Sequence, residues 1–150
     1  MSTFLKIGEL AQRTACQVET IRYYERIGML APPVRSANNY RTYGDAHVER
    51  LLFIRHCRAL DMTLDEVRVL LNFRDRPGDV CDGVNELLDK HIGHVTSRIE
   101  SLRVLEQQLR QLRSECSPAD CSTECGILHA LAAPAPLEAG APGHLGGAGC

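Results

Sequence analysis

Tryptophan is absent from this chain, and the other aromatic residues reach only 5% of it. A single large core draws on more bulk than that, so the 150 residues are expected to divide into a small folded head, an arm and a tail. No apolar run approaches the roughly twenty residues of a membrane span, and the start lacks a signal-peptide pattern. The expectation is a cytoplasmic protein with no membrane partner. There is no Cys-x-x-Cys, no histidine at recognisable spacing from a nucleophile and no strand-helix-strand alternation. A thiol enzyme is therefore disfavoured, and no catalytic residue is assigned.

Cysteine, in contrast, is plentiful, with seven in the chain. In a reducing compartment these are thiols in preference to disulfides, which makes metal or redox chemistry their leading use. The net charge of −2 conceals an asymmetry. Residues 1–60 carry nine Lys or Arg against five Asp or Glu, whereas residues 61–150 carry eight against fourteen. The basic end is the candidate polyanion contact.

Between Cys81 and Cys116 the positions Val84, Leu88, His91, Val95, Leu102, Leu105, Leu109 and Leu112 alternate steps of three and four, interrupted by Arg98. This predicts one long helix over about 82–114. At a rise of about 1.5 Å per residue its end cysteines stand roughly 50 Å apart and cannot share an ion within one chain. In an antiparallel dimer of that helix, the start of one copy lies beside the end of the other. Cys81 of one protomer then joins Cys116 and Cys125 of its partner, giving two metal sites at the two ends. Three thiolates suit soft ions. Cys121, in the same polar loop, is an additional candidate ligand.

The first sixty residues read as helices and turns. Short helices at 6–14 and 18–27, joined by a turn and stopped at Gly28, form a helix-turn-helix signature. Residues 31–43 hold Pro32, Pro33, Ser36, Asn38 and Asn39 interleaved with Arg35, Tyr40 and Arg41, which reads as a wing. A third helix capped by Asp45 runs to about Leu60, and Thr63 with Glu66 forms a capping box for a fourth from Leu64 to about Phe73. Arg22 and Tyr23 on the second helix, with Arg35, Tyr40 and Arg41 in the wing, are the candidate DNA-binding residues. Tyr24, Cys16 and Cys57 read as packed inside, while His91, His94 and His129 read as structural. The fold class is mainly all-α: a winged helix-turn-helix head with accessory helices (1–75), a hinge loop and antiparallel coiled-coil dimerisation helix (76–115), a metal-binding loop and short helix (116–131), and a disordered tail (132–150).

The stretch Glu19-Thr20-Ile21-Arg22-Tyr23-Tyr24-Glu25, the wing from Arg35-Ser36 to Asn39-Tyr40-Arg41 and the cysteine spacing resemble the MerR family of metal-responsive transcriptional regulators over about residues 7–131. Phe53-Ile54-Arg55-His56-Cys57-Arg58, Leu60-Asp61-Met62 and Cys125-Gly126-Ile127-Leu128 are similar to its lead- and cadmium-responsive branch. The resemblance implies a homodimer on double-stranded promoter DNA with an over-long spacer. Such a dimer represses without metal, and untwists the DNA for RNA polymerase when Pb(II) or Cd(II) binds Cys81, Cys116 and Cys125. The copper branch lacks a cysteine at the position of Cys81, and the zinc branch adds one at the position of Glu115. The mercury branch shares the spacing from Cys116 to Cys125 but usually has proline where this chain has Gly126. Hg(II) or Zn(II) as effector, and a thiol redox sensor, are the alternative readings.

Overall fold

The computed structural model describes residues 4–76, 78, 81–116 and 125–134, and its chain forms two units, one up to Val84 and one from Asn85. Cys121 and Cys150, most of the tail and part of the segment before Cys81 lie outside the described residues.

The first unit begins with α1 (Ile7–Thr14) and α2 (Val18–Arg26). Glu9 accepts from the Lys6 backbone N–H at 2.7 Å, which closes the start of α1. Its end turns through Ala15 at φ 52°, a left-handed residue that lets the Cys16 N–H reach the Ala11 carbonyl at 3.1 Å. That turn directs α2 across α1. The second helix stops one residue before the expected Ile27, with Gly28 at φ 77° and the Met29 N–H bonded to the Tyr24 carbonyl at 2.9 Å.

The wing is a two-stranded antiparallel hairpin, β1 (Val34–Arg35) and β2 (Arg41–Thr42), registered as Val34 with Thr42 and Arg35 with Arg41. Asn39 takes the left-handed turn position at φ 64°, a conformation its short amide tolerates. Leu5 bridges to Tyr43 and anchors the wing to the chain start.

α3 (Asp45–Ala59) corrects one expectation: Asp45 is its first helical residue and Gly44 is the cap. The Gly44 N–H donates to His47 Nδ1 at 3.1 Å, so an imidazole does what a carboxylate does in an ordinary capping box. α4 (Leu64–Asp75) starts on the expected box, where Thr63 Oγ1 accepts from the Glu66 N–H at 3.2 Å and Glu66 accepts from the Thr63 N–H at 2.8 Å. It continues two residues past Phe73. The core sits among these helices and the wing: Leu10, Ile21, Met29, Tyr43, Leu51, Ile54 and Leu71 are almost wholly buried. Cys16, Cys57 and Tyr24 are buried too, as expected. Burial pushes the Cys57 thiol up, which marks it as packing material and not as a ligand.

α5 (Cys81–Ser114) is 34 residues long and starts at Cys81 itself, one residue earlier than expected. Beyond Val84 it carries a continuous exposed apolar face of Leu88, Ile92, Val95, Ile99, Leu102, Leu105 and Leu109. Ile92 and Ile99 join the predicted stripe, because a packing face spans about 100° and is wider than one line of three- and four-residue steps. His91, expected on that stripe, is buried within the single chain. Ion pairs Glu86–Lys90, Glu100–Arg103 and Glu106–Arg110 decorate the polar sides. A seven-residue helix, α6 (Gly126–Ala132), closes the described chain.

Candidate functional site

Two of the expected thiols come together. Cys116 lies just past the end of α5 and Cys125 sits at the cap position before α6; both are exposed, and their sulfurs are within hydrogen-bonding reach. The adjacent backbone explains the approach. A Cβ added to Gly126 would lie 2.5 Å from the Glu115 carbonyl oxygen, so only glycine lets the start of α6 press against the end of α5. Glu115 precedes Cys116 and Gly126 follows Cys125, so this close packing sets the cysteines side by side.

The Cys125 thiol is held below its ordinary pKa. The Leu128 backbone N–H, then that of Ile127, hold it below its ordinary value; slight desolvation opposes them and the Cys116 thiol adds a little. The sulfur does not complete a cap hydrogen bond of strict geometry. The effect is therefore the field of two inward-facing amides at the α6 terminus, which favours a thiolate. Soft, exposed sulfur is the donor type that selects soft metal ions. Among the described residues, no third His, Cys, Asp or Glu closes on this pair as a metal cluster would. Cys81, exposed, opens α5 and stands roughly 50 Å along the helix from its other end. Among the described residues, exposed thiols thus stand as Cys116 and Cys125 past one end of the helix and Cys81 at the other.

The candidate DNA residues share the first unit. Arg22 and Tyr23 are exposed on α2, and Tyr24 faces the core. The Arg26 guanidinium lies 5.6 Å over the Tyr23 ring, a contact absent from the sequence-based list although its three-residue spacing is visible there. In the wing, Arg35, Tyr40 and Arg41 are all exposed. Arg35 and Arg41 are direct cross-strand partners, and like charges so placed repel. Asn39 Oδ1 accepts from Arg35 Nη1 at 2.9 Å, which fixes one guanidinium without neutralising either. A phosphate between them would remove the repulsion.

Sequence reasoning missed the clamp that ties wing to helix. Tyr43 follows β2, is fully buried, and its hydroxyl donates to Glu25 Oε1 on α2 at 2.6 Å. Desolvation first, then the Glu25 carboxylate, pushes the Tyr43 phenol far above its ordinary value, so it stays a donor at any working pH. His47 packs edge-on against Tyr43 at 5.2 Å and its Nε2 lies 3.2 Å from the Ala31 carbonyl. Tyr43→Phe should cost about 1–2 kcal/mol, because it strands a half-buried carboxylate. A lower urea midpoint together with weaker promoter binding would show the clamp, and an unchanged midpoint would dismiss it.

A winged helix-turn-helix head joined to a long helix with an unpartnered apolar face and terminal thiols defines a DNA-binding regulator. Residues 5–73 match the MerR HTH family regulatory protein pattern and residues 48–112 the MerR DNA-binding pattern. The "HTH-type transcriptional regulator ZntR homolog" of Haemophilus influenzae is 44% identical over 111 residues, covering 74% of this chain and 82% of the relative. Among solved structures, the transcription regulator PbrR691 from Ralstonia metallidurans, in complex with lead(II), is 52% identical with a TM-score of 0.75, covering 85% of this chain and 99% of that one. The MerR of Bacillus megaterium, in complex with mercury(II), is 33% identical with a TM-score of 0.68 over 85% of this chain and 98% of its own. The chain belongs to the MerR family of metal-responsive transcriptional regulators. No described helix is long and apolar enough to cross a membrane.

Proposed function

We propose that the chain is a cytoplasmic homodimeric sensor of Pb(II), with Cd(II) as the next effector. It holds double-stranded promoter DNA through Arg22, Tyr23, Arg35, Tyr40 and Arg41. Cys116 and Cys125 of one protomer and the partner's Cys81 would hold the ion, whose contribution is a thiolate cross-link between protomers. Without it the dimer represses; with it the dimer realigns the promoter for RNA polymerase. The observation that carries the reading is the placement of the thiols. Two are brought side by side by the Gly126 approach, and the third opens a 34-residue helix whose far end carries them.

Lead is favoured because its directional lone pair occupies one side of the ion and leaves room for three sulfurs on the other, whereas zinc prefers a closed tetrahedron. The 52% identity to a regulator crystallised with lead(II) supports this order. Mercury is the second reading, supported by the likeness to the mercury-complexed MerR. Cys121 is assigned as an accessory ligand that serves Cd(II) or Zn(II) more than Pb(II).

Titration of the full-length dimer with Pb(II), Cd(II), Hg(II) and Zn(II), followed by thiolate-to-metal absorption, tests the assignment alongside transcription from a metal-resistance promoter. Lead should saturate before cadmium and zinc and raise transcription at the lowest concentration, whereas Hg(II), which binds any thiolate most tightly, is judged by transcription and would carry the second reading if it activated best. Tighter zinc binding, or transcription indifferent to all four, would overturn it.

A further inference from the structure

The start of α5 touches α4 where Gly83 meets Phe73, and the end of α4 is tied through Arg50 of α3 to the turn that closes the DNA-reading helix, all within the first unit. Gly83, two residues into α5 from Cys81, lies so close to Phe73 that an added Cβ would meet its ring tip at 2.6 Å. Phe73 is followed by two residues that grip α3. Arg74 pairs with Glu49 at 3.2 Å and stacks 5.3 Å over the Phe53 ring. Asp75 accepts two bonds from Arg50 Nη1, at 3.0 and 2.9 Å.

Arg50 has a second hold. Its Nε donates to the carbonyl of Met29, the residue whose N–H closes α2 onto the Tyr24 carbonyl. One planar guanidinium therefore bonds the end of α4 and the turn that closes the DNA-reading helix at once. A guanidinium holds both arms in a fixed fork, so a shift of one is felt by the other. The side chain is only 25% exposed, which limits screening by solvent.

We propose that Arg50 is the positioning residue that transmits a movement of the α5 start to α2, with the Gly83–Phe73 contact as its input and the Met29 carbonyl as its output. This rests on the reading that metal held at Cys81 displaces the start of α5. Among the described residues, the bonds of Arg50 go to Met29 and Asp75 and to neither a thiol nor the exposed face of α2, so its part is transmission and not binding. Contiguous packed contacts of this kind carry coupling when both ends bias one element.

The test uses full-length protein and Pb(II). Asp75→Asn removes the charge of one arm without changing its shape, and Gly83→Ala forces the helix start off Phe73. Each should bind lead with unchanged stoichiometry and bind the promoter without metal as the parent does. Lead-dependent transcription should fall roughly 5- to 50-fold in each. The double variant should fall no further than the worse single, because both break one path. Phe73→Leu, which withdraws the ring tip, should restore activation to Gly83→Ala.

Equal losses of promoter affinity with and without lead, or additive losses in the double variant, would reduce Arg50 to a structural staple and overturn the proposal. So would full activation in Asp75→Asn. Failure of the functional reading shows separately, as a parent protein without lead-dependent transcription.

Discussion

A mixed dimer of Cys81→Ser with Cys116→Ser is expected to bind one tight equivalent of lead, although neither parent homodimer binds any. In the antiparallel arrangement, one end of the mixed dimer combines the intact Cys81 of the second chain with the intact Cys116 and Cys125 of the first. The other end has lost both Cys81 and Cys116. Were the ligands drawn from one chain, each chain would lack one thiol and the mixed dimer would bind none tightly. The 34-residue helix between Cys81 and Cys116 already argues against that, since roughly 50 Å exceeds any metal–sulfur bond by an order of magnitude. Counting tight equivalents in a purified mixed dimer, each chain carrying a different tag, separates the architectures as one or zero.

Leu102→Glu should abolish the dimer and, with it, useful promoter binding. Leu102 is 56% exposed in the single chain, so the change leaves the fold of each unit alone. In the proposed antiparallel dimer, the register that would bring Cys81 beside the partner's Cys116 would also set Leu102 opposite the partner's Val95, so that the mutation would bury a carboxylate against an apolar side chain twice per dimer. Two half-site contacts then become one, and affinity should fall about 100-fold or more. Sedimentation and gel shift report the two consequences independently. A variant that stays dimeric at micromolar concentration would show that another surface joins the protomers.

Local devices were legible in the sequence and distant ones were not. The Thr63–Glu66 box, the Gly28 stop and the wing turn each depend on residues within four positions, where residue type decides the conformation. The Arg50–Asp75 and Tyr43–Glu25 contacts join residues 25 and 18 positions apart, and no periodicity announces them. His47 escaped notice as a cap because imidazole seldom takes that part. Of the thiols, Cys116 and Cys125 lie side by side. The reason they meet lay in Gly126, read from sequence only as a branch marker, since a missing Cβ acquires meaning only when a carbonyl is found where it would stand.

The length of α5 has a further consequence for how such a dimer would answer a rising dose of ion. Charges roughly 50 Å apart lie many screening lengths from one another, since that length is about 8 Å at physiological salt. Two ions at opposite ends of the dimer therefore neither repel nor attract, and their filling is statistically independent at the level of electrostatics. Any steepness in the dose response must be carried mechanically, by helices that shift together or by a promoter that twists only when both ends pull. The helix thus acts as an insulator for charge and a strut for force.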